Sequence, residues 1–180
     1  MEVSNTPIDG LLIIKPMVFK DTRGYFFEPY NKQRFFDIGI KHEFVQDNQS
    51  FSHLGALRGL HFQAPPFEQG KLVRVVTGAV LDVVVDIRKG SKTFGQHFSM
   101  ELSEDNMLQF WIPPGFAHGF VTLRDNTIFE YKCTNFYNKA SEGGVLWNDP
   151  ELGIDWGLQN PIVSDKDQVL NPINQLISPF

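Results

Sequence analysis

The sequence has a single cysteine and no long apolar run, and these two absences exclude several classes of protein. Because Cys133 stands alone, no disulfide can form within the chain. A membrane-spanning helix needs roughly 20 apolar residues, and the longest candidate, Val80–Ile87, is interrupted by Asp82 and Asp86. The first ten residues carry no Lys or Arg, so no signal peptide is expected. Together these features predict a cytoplasmic protein that does not contact a membrane.

Positive charge is also scarce relative to negative charge. The 180 residues include 16 Lys and Arg against 21 Asp and Glu, which gives a net charge of −5. This balance argues against binding along a nucleic-acid backbone, although a few local cations are enough to hold a small anionic ligand. The sequence also lacks the Gly-x-Gly-x-x-Gly pattern of dinucleotide-binding folds, so no redox cofactor is expected.

Strand signals dominate the chain. Two β-branched runs, Lys71–Thr77 and Val80–Arg88, flank Gly78 and predict a hairpin. Further strand candidates are Leu11–Pro16, Gly24–Pro29, His42–Gln49, Leu57–Gln63, His97–Glu101, Gln109–Ile112, Gly119–Leu123, Thr127–Asn135 and Gly144–Trp147. Gly and Pro residues separate these short runs. The pattern predicts an all-β protein, with an antiparallel sandwich or barrel in a single domain over residues 1–180.

The helices that the sequence predicts are few and short. One covers Asn31–Ile38, with Asn31 as its N-cap and Gly39 as its stop. Ser164–Asp167 resembles a helix start near the end of the chain. The segment from Pro161 onward is expected to wrap around the barrel.

Two segments resemble the two sequence motifs of cupin barrels. Arg58–Gln63 is a strand that carries an Arg and a His, and Pro113–Phe120 is a tight turn that leads His118 into a strand. A metal-binding cupin needs His-x-His in the first motif, but His61 is followed two residues later by Gln63. Because an amide is a weak ligand compared with imidazole, we expect a cupin-type barrel without a native metal site.

A site without metal needs side chains that transfer protons. His61, Tyr131 and Asp167 are suitable types. Each also has a structural interpretation: Tyr131 lies among apolar residues and could be a core residue, Asp167 could be a solvated acid in a first helical turn, and His118 could be a structural hydrogen-bonding group. From the residues alone these alternatives stay open.

Eight blocks of the chain, in order, resemble the dTDP-4-dehydrorhamnose 3,5-epimerase family. They are Asp21–Glu28, Val45–Ser50, Leu57–Gln63, Gly70–Arg74, Asp82–Arg88, Pro113–Phe120, Glu130–Lys132 and Ser164–Asp167. The resemblance covers nearly the whole chain. It implies a cupin-type barrel, or jelly roll, that acts without cofactor or metal on a dTDP-linked 4-keto-6-deoxy sugar. It also implies a homodimer whose N-terminal strands are exchanged between subunits.

The resemblance further implies a role for each matching residue. His61 matches the general base, Asp167 the acid that orients it, Tyr131 the proton donor on the opposite face, and Lys71 the cation near the C4 oxygen. Residues near the diphosphate or the sugar are matched by Arg23, Arg58 and His118. Nucleotide or phosphate contacts are matched by Glu28, Gln46 and Asn48, with Phe26 as the stacking partner of thymine.

Three other interpretations compete with a 3,5-epimerase. A monofunctional 3-epimerase, or an epimerase of another dTDP-4-keto-6-deoxy sugar, would keep the same base and acid. A metal-dependent cupin is disfavoured by Gln63. A non-catalytic sugar-binding cupin would have no need for His61, Lys71, Tyr131 and Asp167 together.

Overall fold

The structure is a computed structural model that describes residues 1–180, and most of its elements are strands. In chain order the strands are β1 Glu2–Asn5, β2 Leu12–Lys15, β3 Val18–Asp21, β4 Gly24–Phe27, β5 Gln46–Ser52, β6 Ala56–Gln63, β7 Lys71–Thr77, β8 Ala79–Asp86, β9 His97–Ser103, β10 Gln109–Ile112, β11 Phe116–Thr122, β12 Thr127–Cys133, β13 Glu142–Gly144 and β14 Ile162–Val163. The helices are α1 Lys32–Asp37, α2 Asp165–Gln168 and two 3₁₀ turns at Lys139–Ser141 and Ile173–Gln175.

The strands form two antiparallel sheets and one separate hairpin. The first sheet has the order β1-β2-β10-β7-β12-β5. The second has the order β13-β6-β11-β8-β9, and β14 adds to it in parallel beside β6. The hairpin consists of β3 and β4, which pair only with each other. The prediction of an all-β, cupin-type antiparallel barrel with a few short helices is confirmed.

Apolar side chains from both sheets fill the space between them. Val73 and Phe129 reach inward from the first sheet, and Val84 and Phe120 reach inward from the second. The rings of Phe120 and Phe129 stack with their centroids 4.2 Å apart. This contact between opposite sheets shows that the two sheets pack face to face. Alternate residues of each strand point into the space between them.

The outer face of the first sheet is covered by α1 and the residues that follow it. Phe35 and Ile40 pack there against Leu72 and Trp111. The Asn31 side chain accepts a hydrogen bond from the backbone N–H of Arg34 and so caps the helix. The helix predicted at Asn31–Ile38 is therefore confirmed.

The outer face of the second sheet is covered by the C-terminal part of the chain. Val83 and Val85 share this face, as the alternation in their strand predicts, and Trp156 and Ile173 pack against the same cluster. Phe180 joins it and accepts a backbone hydrogen bond from Lys89. The helix α2 belongs to the same C-terminal segment and contacts β6.

The hairpin predicted at Gly78 is wrong. The strand β7 pairs with β10 and β12, whereas β8 pairs with β9 and β11, so the two strands belong to opposite sheets. Gly78 has a φ of +85° and lies so close to Thr127 that a Cβ would approach its Cα to 3.0 Å. Because both strands are buried central strands with a neighbour on each side, the chain turns a corner here instead of folding back.

The strand predicted at His42–Gln49 is displaced. The structure has β5 at Gln46–Ser52, where it pairs along its whole length with β12. The position of β5 is determined by its pairing with β12, and local strand propensity does not reveal which strand is the partner. None of the helices combines the length and the apolar character that a transmembrane span requires.

Candidate active site

A β-bulge at Gly59 brings Arg58 and His61 to the same face of β6. Across β11, His61 pairs with His118 and Arg58 pairs with Phe120, so two residues of β6 stand opposite one of β11. Gly59 has a φ of +125°, and a Cβ there would lie 2.5 Å from the Cα of Gly119. Only glycine fits this position, because other side chains would both strain the backbone and collide with β11.

His61 is held by the carboxylate of Asp167. The His61 Nε2 atom lies 2.6 Å from Asp167 Oδ1, and the other carboxylate oxygen accepts the backbone N–H of Gly59 at 3.3 Å. Burial acts to raise the pKa of Asp167, but hydrogen bonding and the charge of His61 outweigh it, so the pKa lies below its usual value. Asp167 is therefore an anionic partner of His61. It is only 3% exposed, so the alternative interpretation of Asp167 as a solvated acid is wrong.

The opposite wall of the same space comes from the first sheet. Tyr131 on β12 packs against the interior cluster between the sheets, and Asn48 on β5 is its partner in the register. Lys71 at the start of β7 places its Nζ 6.0 Å from the centroid of the Tyr131 ring. His61 and Tyr131 thus reach the interior from facing sheets.

The two walls enclose an open cavity of about 660 Å³. The predicted residues that line it are His61, Lys71, Tyr131, Asp167, Arg58, Asn48 and His118. Such a volume is in the range of sites for small-molecule ligands. Four of the predicted catalytic residues and three of the predicted binding residues are therefore brought together.

Burial shifts the pKa values of two groups on the first sheet. It lowers the pKa of Lys71 below that of an exposed lysine, although the charges of Cys133, Asp82 and Glu142 act in the opposite direction. It raises the pKa of Tyr131, against smaller opposing effects of Asn48 and Arg58. A phenol is protonated near neutral pH, and this shift keeps Tyr131 in the form that can donate a proton.

Four predicted binding residues do not line this cavity. Arg23 is exposed and pairs with Asp21 on its own hairpin, and Phe26 on the same hairpin is 70% exposed. Glu28 lies 3.4 Å from Arg34. The fourth, Gln46, is adjacent to the cavity: its amide donates to Asn48 Oδ1 at 3.1 Å.

Gln63, which stands where a metal-binding cupin has a second histidine, is used by the protein backbone. Its amide nitrogen donates to the carbonyl oxygens of Phe67 and Phe136, and its amide oxygen accepts the N–H of Asn138. It thereby links the loop that follows β6 to the loop that follows β12. No group of three or more His, Cys, Asp or Glu side chains has an arrangement suited to a metal ion.

Sequence reasoning missed two residues that complete the site. Lys166 lines the cavity and forms an ion pair with Glu142 on β13, which ties α2 to the strand beside His61. Asp82 on β8 is fully buried and bonds to His118 at 2.9 Å. Alternation along β8 puts Asp82 on the face opposite Val83 and Val85, but nothing in the sequence connects it with His118.

The fold and the cavity define a cupin-type barrel enzyme that performs acid–base chemistry. A family model described as dTDP-4-dehydrorhamnose 3,5-epimerase matches residues 5–175, and the chain belongs to this family. The resemblance found in the sequence is thus confirmed.

Individual relatives agree with this assignment. The dTDP-4-dehydrorhamnose 3,5-epimerase of Shigella flexneri is 54% identical over 168 residues, which are 93% of each protein. The crystal structure of the corresponding enzyme from Elizabethkingia anophelis has a TM-score of 0.92 and 50% identity, and the match covers 97% of both chains. A 3,5-epimerase from Legionella pneumophila in complex with dTDP-4-keto-L-rhamnose has a TM-score of 0.94 and 47% identity, over 97% of this chain and 94% of that one.

Proposed function

We propose that this protein inverts two stereocentres of a nucleotide-linked keto sugar. The substrate is dTDP-4-dehydro-6-deoxy-D-glucose, and inversion at C3 and C5 yields dTDP-4-dehydro-L-rhamnose. The observation that carries the proposal is the position of His61 and Tyr131 on facing sheets of one cavity. Family membership and the ligand of the Legionella relative support this choice of sugar.

The ketone at C4 makes the protons on both neighbouring carbons removable. Loss of a proton from C3 or C5 leaves a carbanion that is delocalised as an enolate, so one ketone serves both centres. His61 takes the proton from one face of the sugar as general base, and Tyr131 returns a proton to the other face as general acid. Configuration inverts only because the two groups lie on opposite sides of the ring.

Two further residues support this proton transfer. Asp167 accepts the hydrogen bond of His61 Nε2, which leaves Nδ1 free for the substrate and stabilises the imidazolium formed by proton abstraction. Lys71 supplies a positive charge for the C4 oxygen, where negative charge develops in the enolate. The raised pKa of Tyr131 keeps the phenol in its donating form.

Substrate and product have the same oxidation state, so the reaction requires no redox partner. Lys71 supplies the electrophile that a metal would otherwise provide, and Gln63 is engaged by backbone groups. We therefore propose that the enzyme works without metal or cofactor. We also propose a cytoplasmic location. A chain that forms no disulfide is suited to the reducing conditions there, and the proposed substrate is a nucleotide-activated sugar.

The charge of Lys71 leads to a prediction about pH. Because burial lowers its pKa, the cation should be lost as pH rises, with a midpoint below the ordinary lysine value of about 10.4. Tyr131 is not expected to cause a loss of activity in this pH range, since burial raises its pKa. We expect kcat/KM of the wild type to fall at alkaline pH, and we call this fall the alkaline limb of the pH profile. In Lys71→Arg, whose side chain stays charged, the alkaline limb should be absent.

A matched control for Lys71 is Lys132, which pairs with Asp47 on the outer face of the first sheet. Lys132→Arg should keep both the wild-type rate and the alkaline limb. If Lys71→Arg keeps the alkaline limb of the wild type, Lys71 is not the group that stabilises the C4 oxygen.

The nucleotide end of the site is proposed to come from a second subunit. The hairpin of β3 and β4 pairs with no other strand, and its side chains Phe19, Tyr25 and Phe26 are more than half exposed. A lone two-stranded hairpin is only marginally stable in water. We propose a single 1–180 domain that forms a homodimer by exchanging this N-terminal segment. Arg23, Phe26 and Glu28 then reach the diphosphate and thymine in the neighbour's cavity, beside Gln46 and Asn48.

Mixed dimers test whether Arg23 acts on its neighbour. A dimer that contains one Arg23→Ala subunit and one His61→Asn subunit has a complete site only if Arg23 serves the other chain. We expect such a heterodimer, purified with two different tags, to have about one half of the wild-type activity, because one of its two sites is intact. Each parent homodimer should be strongly impaired.

Activity of the heterodimer no higher than that of its parents would contradict the exchange. A monomeric mass by light scattering at micromolar concentration, together with full activity, would contradict the dimer itself.

Chemical reduction of the product distinguishes the proposed function from its closest alternative. After incubation with dTDP-4-dehydro-6-deoxy-D-glucose, borohydride reduction and hydrolysis release sugars that report the configuration. Inversion at both centres gives L-rhamnose and 6-deoxy-L-talose, whereas inversion at C3 alone gives 6-deoxy-D-allose and 6-deoxy-D-gulose. We expect the first pair. The second pair would identify a monofunctional 3-epimerase, and unchanged quinovose and fucose would exclude either activity on this sugar.

A further inference from the structure

A second His–Asp pair lies beside His61 and Asp167. His118 on β11 pairs directly with His61 on β6 in the strand register, and its Nε2 lies 2.9 Å from Asp82 Oδ2. Asp82 is fully buried, and its other oxygen has no hydrogen-bond partner. His118 is consequently the only group that hydrogen-bonds to this carboxylate.

The surroundings of His118 determine where its proton lies. A carboxylate only accepts hydrogen bonds, so the proton of the imidazole is on Nε2. Burial lowers the pKa of His118, the charge and hydrogen bond of Asp82 oppose this shift, and the nearby charges of Lys71 and His61 add to it. The imidazole is therefore neutral near pH 7, with a lone pair on Nδ1.

The free nitrogen is available to a ligand. His118 lines the cavity, and Nδ1 makes no hydrogen bond within the chain, since the pair with Asp82 is the only hydrogen bond of this side chain. A lone pair repels phosphate oxygens and the ketone oxygen, which are acceptors themselves. It attracts a hydroxyl, which can donate. The sequence led us to expect His118 near either the diphosphate or the sugar. Because Nδ1 can only accept a hydrogen bond, we favour the sugar, which carries hydroxyl donors.

We propose that Asp82 is a positioning residue that fixes His118 in the Nε2-protonated form, and that His118 Nδ1 accepts a hydrogen bond from a hydroxyl of the sugar ring. The proposal rests on the proposed function for the class of substrate. In that sugar C1 carries the diphosphate, C4 is a ketone and C6 is a methyl group, so only the hydroxyls at C2 and C3 can donate. The site thereby selects sugars that keep a hydroxyl next to the reacting centres.

The tautomer can be measured without any ligand. Nitrogen-15 NMR of imidazole-labelled protein near pH 7 distinguishes Nε2–H, Nδ1–H and imidazolium forms, and comparison with His118→Gln assigns the His118 signals among the five histidines. We expect the neutral Nε2–H form in the wild type. In Asp82→Asn we expect a mixture of the two neutral forms, since an amide can present either a donor or an acceptor. An imidazolium or a neutral Nδ1–H form in the wild type would overturn the proposal.

Ligand analogues test the hydroxyl contact in the wild-type protein. The probes are dTDP-6-deoxyglucose, which does not react, and its 2-deoxy, 3-deoxy, 2-fluoro and 3-fluoro forms, with binding measured by calorimetry. We expect removal of one of the two hydroxyls to weaken binding about 5- to 100-fold, the range for a buried acceptor left unpaired. Fluorine at the same position should weaken binding similarly, because it cannot donate. In His118→Phe this discrimination should disappear.

The outcomes separate this inference from the proposed function. Equal binding of all five ligands to the wild type would overturn the hydroxyl contact while leaving the epimerase activity intact. Failure of every dTDP-sugar to bind would contradict the proposed function, and the tautomer would still decide whether Asp82 positions His118.

Discussion

His61→Asn should lower the rate of epimerisation by about 10²- to 10⁴-fold, the usual cost of removing a general base. Asparagine preserves a polar side chain next to Asp167 but cannot take a proton from carbon. Both C3 and C5 should be affected, because both adjoin the same ketone and both need a base. Exchange of substrate protons with solvent deuterium should fall together with product formation, and binding of dTDP should change little.

The chain contains its own control for this substitution. His53 also pairs with an aspartate, Asp125, at 3.2 Å, but both side chains are exposed on the protein surface. His53→Asn should therefore have wild-type activity. Exchange at either carbon at the wild-type rate in His61→Asn would show that the base is another residue.

Tyr131→Phe should separate proton removal from inversion. The substitution keeps the ring that packs against Phe129 and deletes only the hydroxyl. His61 can still remove a proton and return it, or a deuteron from solvent, to the same face. We therefore expect exchange to continue while inverted product forms about 10²- to 10⁴-fold more slowly. Proton NMR in deuterated water measures both rates in one sample.

Tyr30→Phe is the matched control for Tyr131. Tyr30 packs with Phe35 and Phe44 on the outer side of the first sheet, away from the cavity. It should invert both centres normally. If Tyr131→Phe does the same at the wild-type rate, the phenol is a core residue and the donor lies elsewhere.

Much of the site could be predicted because blocks of the sequence resemble a known family in the right order, and three of the four predicted catalytic residues lie in short strands. Tyr131 alternates with the apolar residues Phe129 and Cys133 along its strand, and in the structure it packs against the interior cluster between the sheets. Lys71 begins the strand β7, and His61 lies within the strand β6.

Other features of the site depend on contacts that no local pattern reveals. Simple alternation would place Arg58 and His61 on opposite faces of β6, and only the bulge at Gly59 brings them together. The partnership of Asp82 with His118 depends on which strands are neighbours. The error at Gly78 has the same origin, because two consecutive strands can pair with each other or with strands far away in the sequence.

The residues of the N-terminal hairpin illustrate a further limit. Arg23 and Phe26 lie in one of the blocks that resemble the family, yet neither lines the cavity of its own chain. A single sequence contains no information about which subunit a binding residue serves. That question depends on the assembly, which the mixed dimers address.

The central claim is that a base and an acid on opposite walls of one cavity invert carbons on both sides of a ketone. It is tested most directly by incubating the wild-type protein with dTDP-4-dehydro-6-deoxy-D-glucose in deuterated water and following C3 and C5 by NMR. The account predicts that one solvent deuteron appears at each carbon as the L-configured product forms. Inversion without deuterium at these carbons, or exchange at both carbons with the D-configuration retained, would contradict it.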